Sequence, residues 1–213
     1  MPSKYTIVKG NWFPRETDFP YLELDDTKDG TMRLLIVLCH PREGSFNHAA
    51  ARVACEAAGR LGHAVYFHDL YSERFDPVLS LEEIRRKFSF DTLVRRCSGE
   101  LGDAQGLVIF HPEWWGGPPA LLKGWIDRVF APGVAYELEG EEFLEKEKVA
   151  LLDGKKALVF ATSDSPPGQG SSALRAFWHR REFSATAALR NRRFTCSRTS
   201  ITQTMEEGSP GWS

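Results

Sequence analysis

The sequence predicts a three-layer α/β domain built on a parallel, doubly wound sheet, and two observations carry the prediction. Short, continuous apolar runs recur along the chain, and most of the segments between them repeat apolar residues at three- and four-residue steps. A strand buried on both faces needs a run of the first kind. Helices of the second kind return the chain by right-handed crossovers and cover both faces.

The elements follow in order. "RLLIVLC", Arg33 to Cys39, reads as the first buried strand. After the polar loop "HPREGS", residues Phe46, Ala49, Ala50, Val53, Ala57 and Leu61 describe one face of a helix that stops near Gly62. "HAVYFHDL" is a second strand, and Leu81 to about Gly99 reads as helix with Ile84, Phe88 and Leu93 inward. "GLVIF" is the third strand, the spacing of Leu121, Leu122, Trp125, Ile126, Val129 and Phe130 gives the next helix, and "KKALVFATS" is the fourth strand. Glu141 to Lys148 reads as a solvated excursion. The domain is expected over 32–190, after an N-terminal extension (1–31) and before an arginine-, serine- and threonine-rich tail (191–213), and the best candidate for a fifth strand, a weak one, lies near "RRFTCSRTSI".

Composition narrows the function classes. With 42 % apolar and 26 % charged residues the chain is globular, and a net charge of −2 argues against general nucleic-acid or anionic-membrane binding. Four scattered cysteines without a C-x-x-C pair offer neither a zinc site nor a disulfide framework, so no metal is expected. No run approaches the roughly 20 apolar residues that span a bilayer, and a cytoplasmic protein without stable membrane insertion is expected.

Ligands of an open parallel sheet bind beyond the carboxyl ends of its strands. Three unusual loops leave such ends: "HPREGSFN", "HPEWWGGPP" and "TSDSPPGQG". In the first, backbone N–H groups at a helix start, with His40, Ser45 and Asn47, suit a phosphate or pyrophosphate; Ser45 as a plain N-cap is the competing reading. In the second, Trp114 and Trp115, between Pro112 and the pair Pro118 and Pro119, form a rigid platform for a flat heteroaromatic ring, with close backbone approach at Gly116 and Gly117. The competing reading is a tryptophan that plugs the helix against the sheet. The third offers Thr162, Ser163 and Ser165 as donors and brings the charge of Asp164. A phosphate and a planar ring together indicate a nucleotide-like cofactor, although neither G-x-G-x-x-G nor a P-loop is present.

These loops, with "DLYSERFDPVLS" and "PxWWxxxPAxLKGWxDRVF", resemble the flavodoxin-like NAD(P)H:quinone oxidoreductase family from about Met32 to Thr162. The resemblance implies a flavodoxin-like fold and a homodimer with flavin at the subunit interface. It also implies two-electron reduction of quinones or similar acceptors by NAD(P)H in a ping-pong cycle. It places His40, Ser45, Phe46 and Asn47 at the flavin's phosphates, and Pro112, Glu113, Trp114, Trp115 and Gly116 beside the isoalloxazine ring, with Trp115 as its wall. Thr162 and Ser163 complete the expected cofactor set. FAD is expected, with FMN the alternative, because "SFN" resembles the FAD-binding branch.

The departures from the family are specific. A Thr-Thr-Gly-Gly turn is replaced by "TSDS", where Asp164 would oppose charge on a reduced ring unless it points to solvent. The tyrosine and histidine that assist hydride transfer in related reductases have no nearby counterpart, so no catalytic side chain is assigned, and His48, His63, His68, His111 and His179 are read as structural or surface residues. The competing functions are a non-catalytic or regulatory subunit of a potassium-efflux type system and a divergent member with impaired flavin binding.

Overall fold

The computed structural model describes residues 30–139, 147–164, 171–179 and 190–198. The N-terminal extension up to Asp29 and Ser165 of the third loop lie outside them. Its main sheet has five parallel strands in the order β2-β1-β3-β6-β7: β1 (Arg33–Leu38), β2 (Ala64–Asp69), β3 (Gly106–Pro112), β6 (Lys156–Ser163) and β7 (Arg190–Arg198). Helices α1 (Phe46–Arg60), α3 (Thr92–Asp103), α4 (Ala120–Val129) and α5 (Ser171–His179) connect or flank these strands, and two apolar clusters pack on opposite sides of the sheet. Order reverses between β1 and β3, so the crevice beyond Leu38 and Pro112 is where a ligand is expected.

Four local differences from the sequence reading have physical causes. The stretch Leu81 to Gly99 divides into α2 (Leu81–Arg86) and α3, because Lys87 turns left-handed at φ 56° and Asp91 caps the new helix through the amides of Leu93 and Val94. Ile84 and Phe88 are therefore exposed rather than inward. On α1 the buried face reads Asn47, Ala51 and Ala58, one position round from the predicted stripe, which leaves Phe46, Val53 and Leu61 outside. Small residues let this helix lie close to the sheet. β4 (Tyr136–Glu139) and β5 (Glu147–Ala150) pair antiparallel at the roots of the charged excursion. Finally, Arg190–Arg198 adds the fifth strand alongside β6, overlapping the strand candidate near "RRFTCSRTSI" and running past residue 190, the expected end of the domain. An edge strand tolerates the polar and charged residues that hide it from a search for apolar runs.

Two contacts set the frame of the ligand-facing edge. Gly124 on α4 lies so close to Pro77 that a Cβ built there would fall 2.3 Å from the Pro77 carbonyl oxygen. Buried Arg128, one turn on, donates to Glu83 through both Nε (3.0 Å) and Nη2 (2.7 Å) and to the Asp76 carbonyl oxygen at 2.6 Å. The "DPVLS" segment after β2 is thereby fixed to the helix that follows the tryptophans.

Candidate cofactor site at the switch point

The first loop ends in an N-cap. Ser45 is buried, and its Oγ accepts the His48 N–H at 3.3 Å, so the competing N-cap reading holds as a statement of local structure. The first-turn amides of an α-helix have no intrahelical partner, and the cap satisfies that of His48. Asn47, also buried, donates from Nδ2 to Thr162 Oγ1 at 2.8 Å, which ties α1 to the end of β6, while its Oδ1 is sealed from solvent without a partner. Phe46 rests its exposed ring against Phe160 at 6.0 Å. His40 is half-buried and accepts the Arg42 N–H at 3.1 Å; burial depresses its basicity, opposed by that backbone hydrogen bond.

The second loop forms a tight turn. Trp114 and Gly117 exchange backbone hydrogen bonds of 3.0 and 3.1 Å across Trp115 at φ 53° and Gly116 at φ 72°, the positive pair of a type I′ turn. A bulky side chain in that conformation costs about 1–2 kcal/mol. Trp114 is partly and Trp115 fully exposed, so neither plugs the helix; Trp125 of α4, completely buried, fills that role. A Cβ on Gly116 would meet Ala173 of α5 at 3.1 Å. Below the turn, buried His111 donates from Nδ1 to the Pro112 carbonyl at 2.7 Å and accepts Trp178 Nε1–H at 3.2 Å, which clamps α5 to β3. Burial holds its imidazole down at about 4, so it is neutral.

β6 brings the third loop beside the second. Pro112 and Thr162 are register partners, and the Glu113 N–H donates to the Thr162 carbonyl at 2.6 Å. Glu113 Oε2 is sealed from solvent and makes no hydrogen bond. Thr162 and Ser163 are buried and Asp164 is exposed, which directs the charge of the "TSDS" turn outward. Thr162 is thus the meeting point of three predicted residues: Asn47 bonds its side chain, Glu113 its carbonyl, and Pro112 lies alongside.

Sequence reasoning missed a buried chain behind Ser45. Its Oγ lies 2.8 Å from His48 Nδ1, and His48 Nε2 lies 3.5 Å from Asp69 Oδ2. Asp69 closes β2 and accepts the amides of Tyr71 and Ser72 at 3.1 and 3.3 Å. Burial pushes its carboxyl up, opposed by those amides and by His48. The available signal was a histidine three residues after an N-cap serine. Two other histidines tie the frame together: His63 accepts the Met32 N–H at 3.2 Å, and buried His68 bridges Glu73 and Glu100. Burial lowers His68, but its hydrogen-bond partners Cys97, Glu100 and Glu73 outweigh it and raise the imidazole to about 11.

The parallel order with its switch at β1/β3, and a family match spanning residues 32–187, decide the classification. The chain belongs to the flavodoxin-like fold family. Over 137 residues it is 34 % identical to an uncharacterized NAD(P)H oxidoreductase of Haemophilus influenzae, covering 63 % of this chain and 65 % of that one. Over 126 residues it is 36 % identical to NAD(P)H dehydrogenase (quinone) 1 of Cavia porcellus, covering 49 % and 45 %. The chain thus spans about half to two-thirds of the length of these curated relatives. The structure of an NAD(P)H:quinone oxidoreductase from Methanothermobacter marburgensis matches with a TM-score of 0.67 at 23 % identity, over 81 % of this chain and 89 % of that one, a likeness of fold. Among the described residues no helix is long and apolar enough to cross a membrane.

Proposed function

We propose that this chain is a flavin-dependent NAD(P)H oxidoreductase that reduces quinones or similar two-electron acceptors, working as a cytoplasmic homodimer with FAD in preference to FMN. One observation carries the reading: at the switch point the start of α1, the tryptophan turn and the end of β6 meet at Thr162, which Asn47 bonds through its side chain and Glu113 through its main-chain N–H, and both of these residues keep a side-chain oxygen without a partner. Donors at the α1 start suit phosphate oxygens, whereas Asn47 Oδ1 and Glu113 Oε2 suit a ligand edge that donates. A flavin nucleotide has both kinds of edge, and the residues present fit it. Named relatives are oxidoreductases of this class.

Bound there, a flavin supplies the two-electron chemistry that passes hydride from NAD(P)H to a quinone. The protein's own part is placement. Residues His40, Ser45, Phe46 and Asn47 would hold the phosphate and ribityl end, and Thr162 and Ser163 the neighbouring backbone. Pro112, Glu113, Trp114 and Gly116 would frame the ring, with Trp115 as the indole wall. The outward Asp164 spares the ring an adjacent buried negative charge. With no side chain assigned as acid or base, rate should depend on ring placement rather than on a titrating group.

Steady-state turnover of the flavin-loaded protein with NADH or NADPH and a soluble benzoquinone tests this. The expected result is parallel lines in double-reciprocal plots, the signature of one substrate leaving before the next binds. Flavin-loaded protein that oxidises neither nicotinamide would refute it.

A further inference from the structure

The Ser45–His48–Asp69 chain is not used by the reading above. Its three side chains are buried at the point where α1 begins and β2 ends. Ser45 Oγ already accepts the His48 main-chain N–H, so what the hydroxyl does with its own proton depends on His48 Nδ1 at 2.8 Å. With the Asp69 carboxylate 3.5 Å from Nε2, the favoured neutral tautomer keeps its proton on Nε2. Nδ1 then accepts, and the Ser45 hydroxyl proton is spent inward. When the imidazole is cationic, Nδ1–H donates to Ser45 Oγ, and the hydroxyl proton is free to turn toward an anion at the helix start.

We propose that His48 is a positioning residue that makes anion binding at the α1 N-terminus proton-coupled: uptake of a flavin phosphate brings one proton onto His48, held between Asp69 and Ser45. This rests on the flavin reading above. The balance is simple: the imidazole gains a proton from solvent, Asp69 stays a carboxylate, and Ser45 switches from donating into the ring to donating to phosphate. No bond other than hydrogen bonds changes. The other groups around the pair do not supply the proton. His40 meets the His48 ring edge-on at 6.0 Å and has its basicity lowered by burial, Arg42 spends its amide on His40, and the Cys39 thiol, on which Asp69 acts, is pushed up by burial to about 12. Asn47, on the same turn, is buried and ties the helix start to Thr162 through Nδ2.

Linkage sets the size of the effect. A single proton taken up on binding weakens affinity by up to tenfold for each pH unit of alkalinisation. The experiment is calorimetric titration of the full chain with FAD, and with FMN at about pH 8, above the second ionisation of a phosphate monoester near 6, each in two buffers of different ionisation enthalpy. Riboflavin, which lacks phosphate, is the control. Wild type is expected to take up a fraction of a proton approaching one with either nucleotide and none with riboflavin, and His48→Gln to bind both nucleotides with no uptake and a flat pH profile. Wild-type binding without proton uptake, or uptake that survives in His48→Gln, overturns this inference alone. Wild type that binds no flavin at any pH overturns both it and the proposed function.

Discussion

The turn at Trp115 sets stability against ligand binding, and Trp115→Asn separates the two. In the structure the residue holds φ 53° with its indole fully exposed, so it has left-handed strain and no core contact in return. That conformation costs a non-glycine side chain about 1–2 kcal/mol, whereas asparagine tolerates it and Asn-Gly is the favoured pair for a type I′ turn. The exchange should stabilise the free protein by about 1 kcal/mol, which for a domain of this size is a rise in Tm of about 2–4 °C. If the indole walls the ring, the same exchange removes a stacking contact of about 0.5–1.5 kcal/mol and weakens flavin binding by about two- to tenfold. Thermal unfolding followed by circular dichroism and flavin fluorescence titration measure the two. A Tm at or below wild type would show that the indole supports the fold, and unchanged affinity would remove it from the ring site.

Three further outcomes follow from the frame. Gly124→Ala gains about 1 kcal/mol of helix propensity but drives a methyl into the Pro77 backbone, which the Arg128 hydrogen bond to Asp76 holds in place; overpacking of about 1–3 kcal/mol or more should win, and urea unfolding showing a variant as stable as wild type would contradict this. Arg128→Ala takes the guanidinium from the half-buried Glu83 carboxylate, which keeps only its Ser80 and Ser89 hydrogen bonds, and should cost about 1–3 kcal/mol. Against the upward push of burial, hydrogen bonds from Ser89, Arg128 and Ser80 hold Glu83 down at about 2, so the deficit should shrink as the medium is acidified toward pH 2 through the range where the unfolded carboxyl protonates. His111, depressed from 6.5 to about 4, contributes stability that is complete above 6.5 and is lost as pH falls to 4. His111→Gln keeps an acceptor for Trp178 without titrating, so its stability should fall less steeply across that window; parallel curves would refute the assignment.

The inner strands and both outer loops were legible because their signals are local. An apolar run such as Arg33 to Cys39 has little choice but to be a buried strand, and "HPEWWGGPP" concentrates turn formers and aromatics at one point. The orientation of α1 was less legible, since a helix rich in alanine has a weak apolar stripe and the true face includes polar Asn47. β7 was legible only as a weak strand candidate near "RRFTCSRTSI", because its position is fixed by pairing to β6 and not by its own composition. The Ser45–His48–Asp69 chain joins residues of two elements, and only the parallel pairing of β1 with β2 brings Asp69 under α1. The same holds for the convergence on Thr162, where the residues were individually visible and their shared partner was not.

The measurement that tests the central claim most directly is a visible absorption spectrum of the purified protein after incubation with excess FAD or FMN and gel filtration. A flavin that co-elutes with the protein near one per chain, its fluorescence quenched by the indoles, is the expected result. Protein that emerges colourless from both incubations would contradict the account, since the helix start, the tryptophan turn and Thr162 would then converge on something other than a flavin.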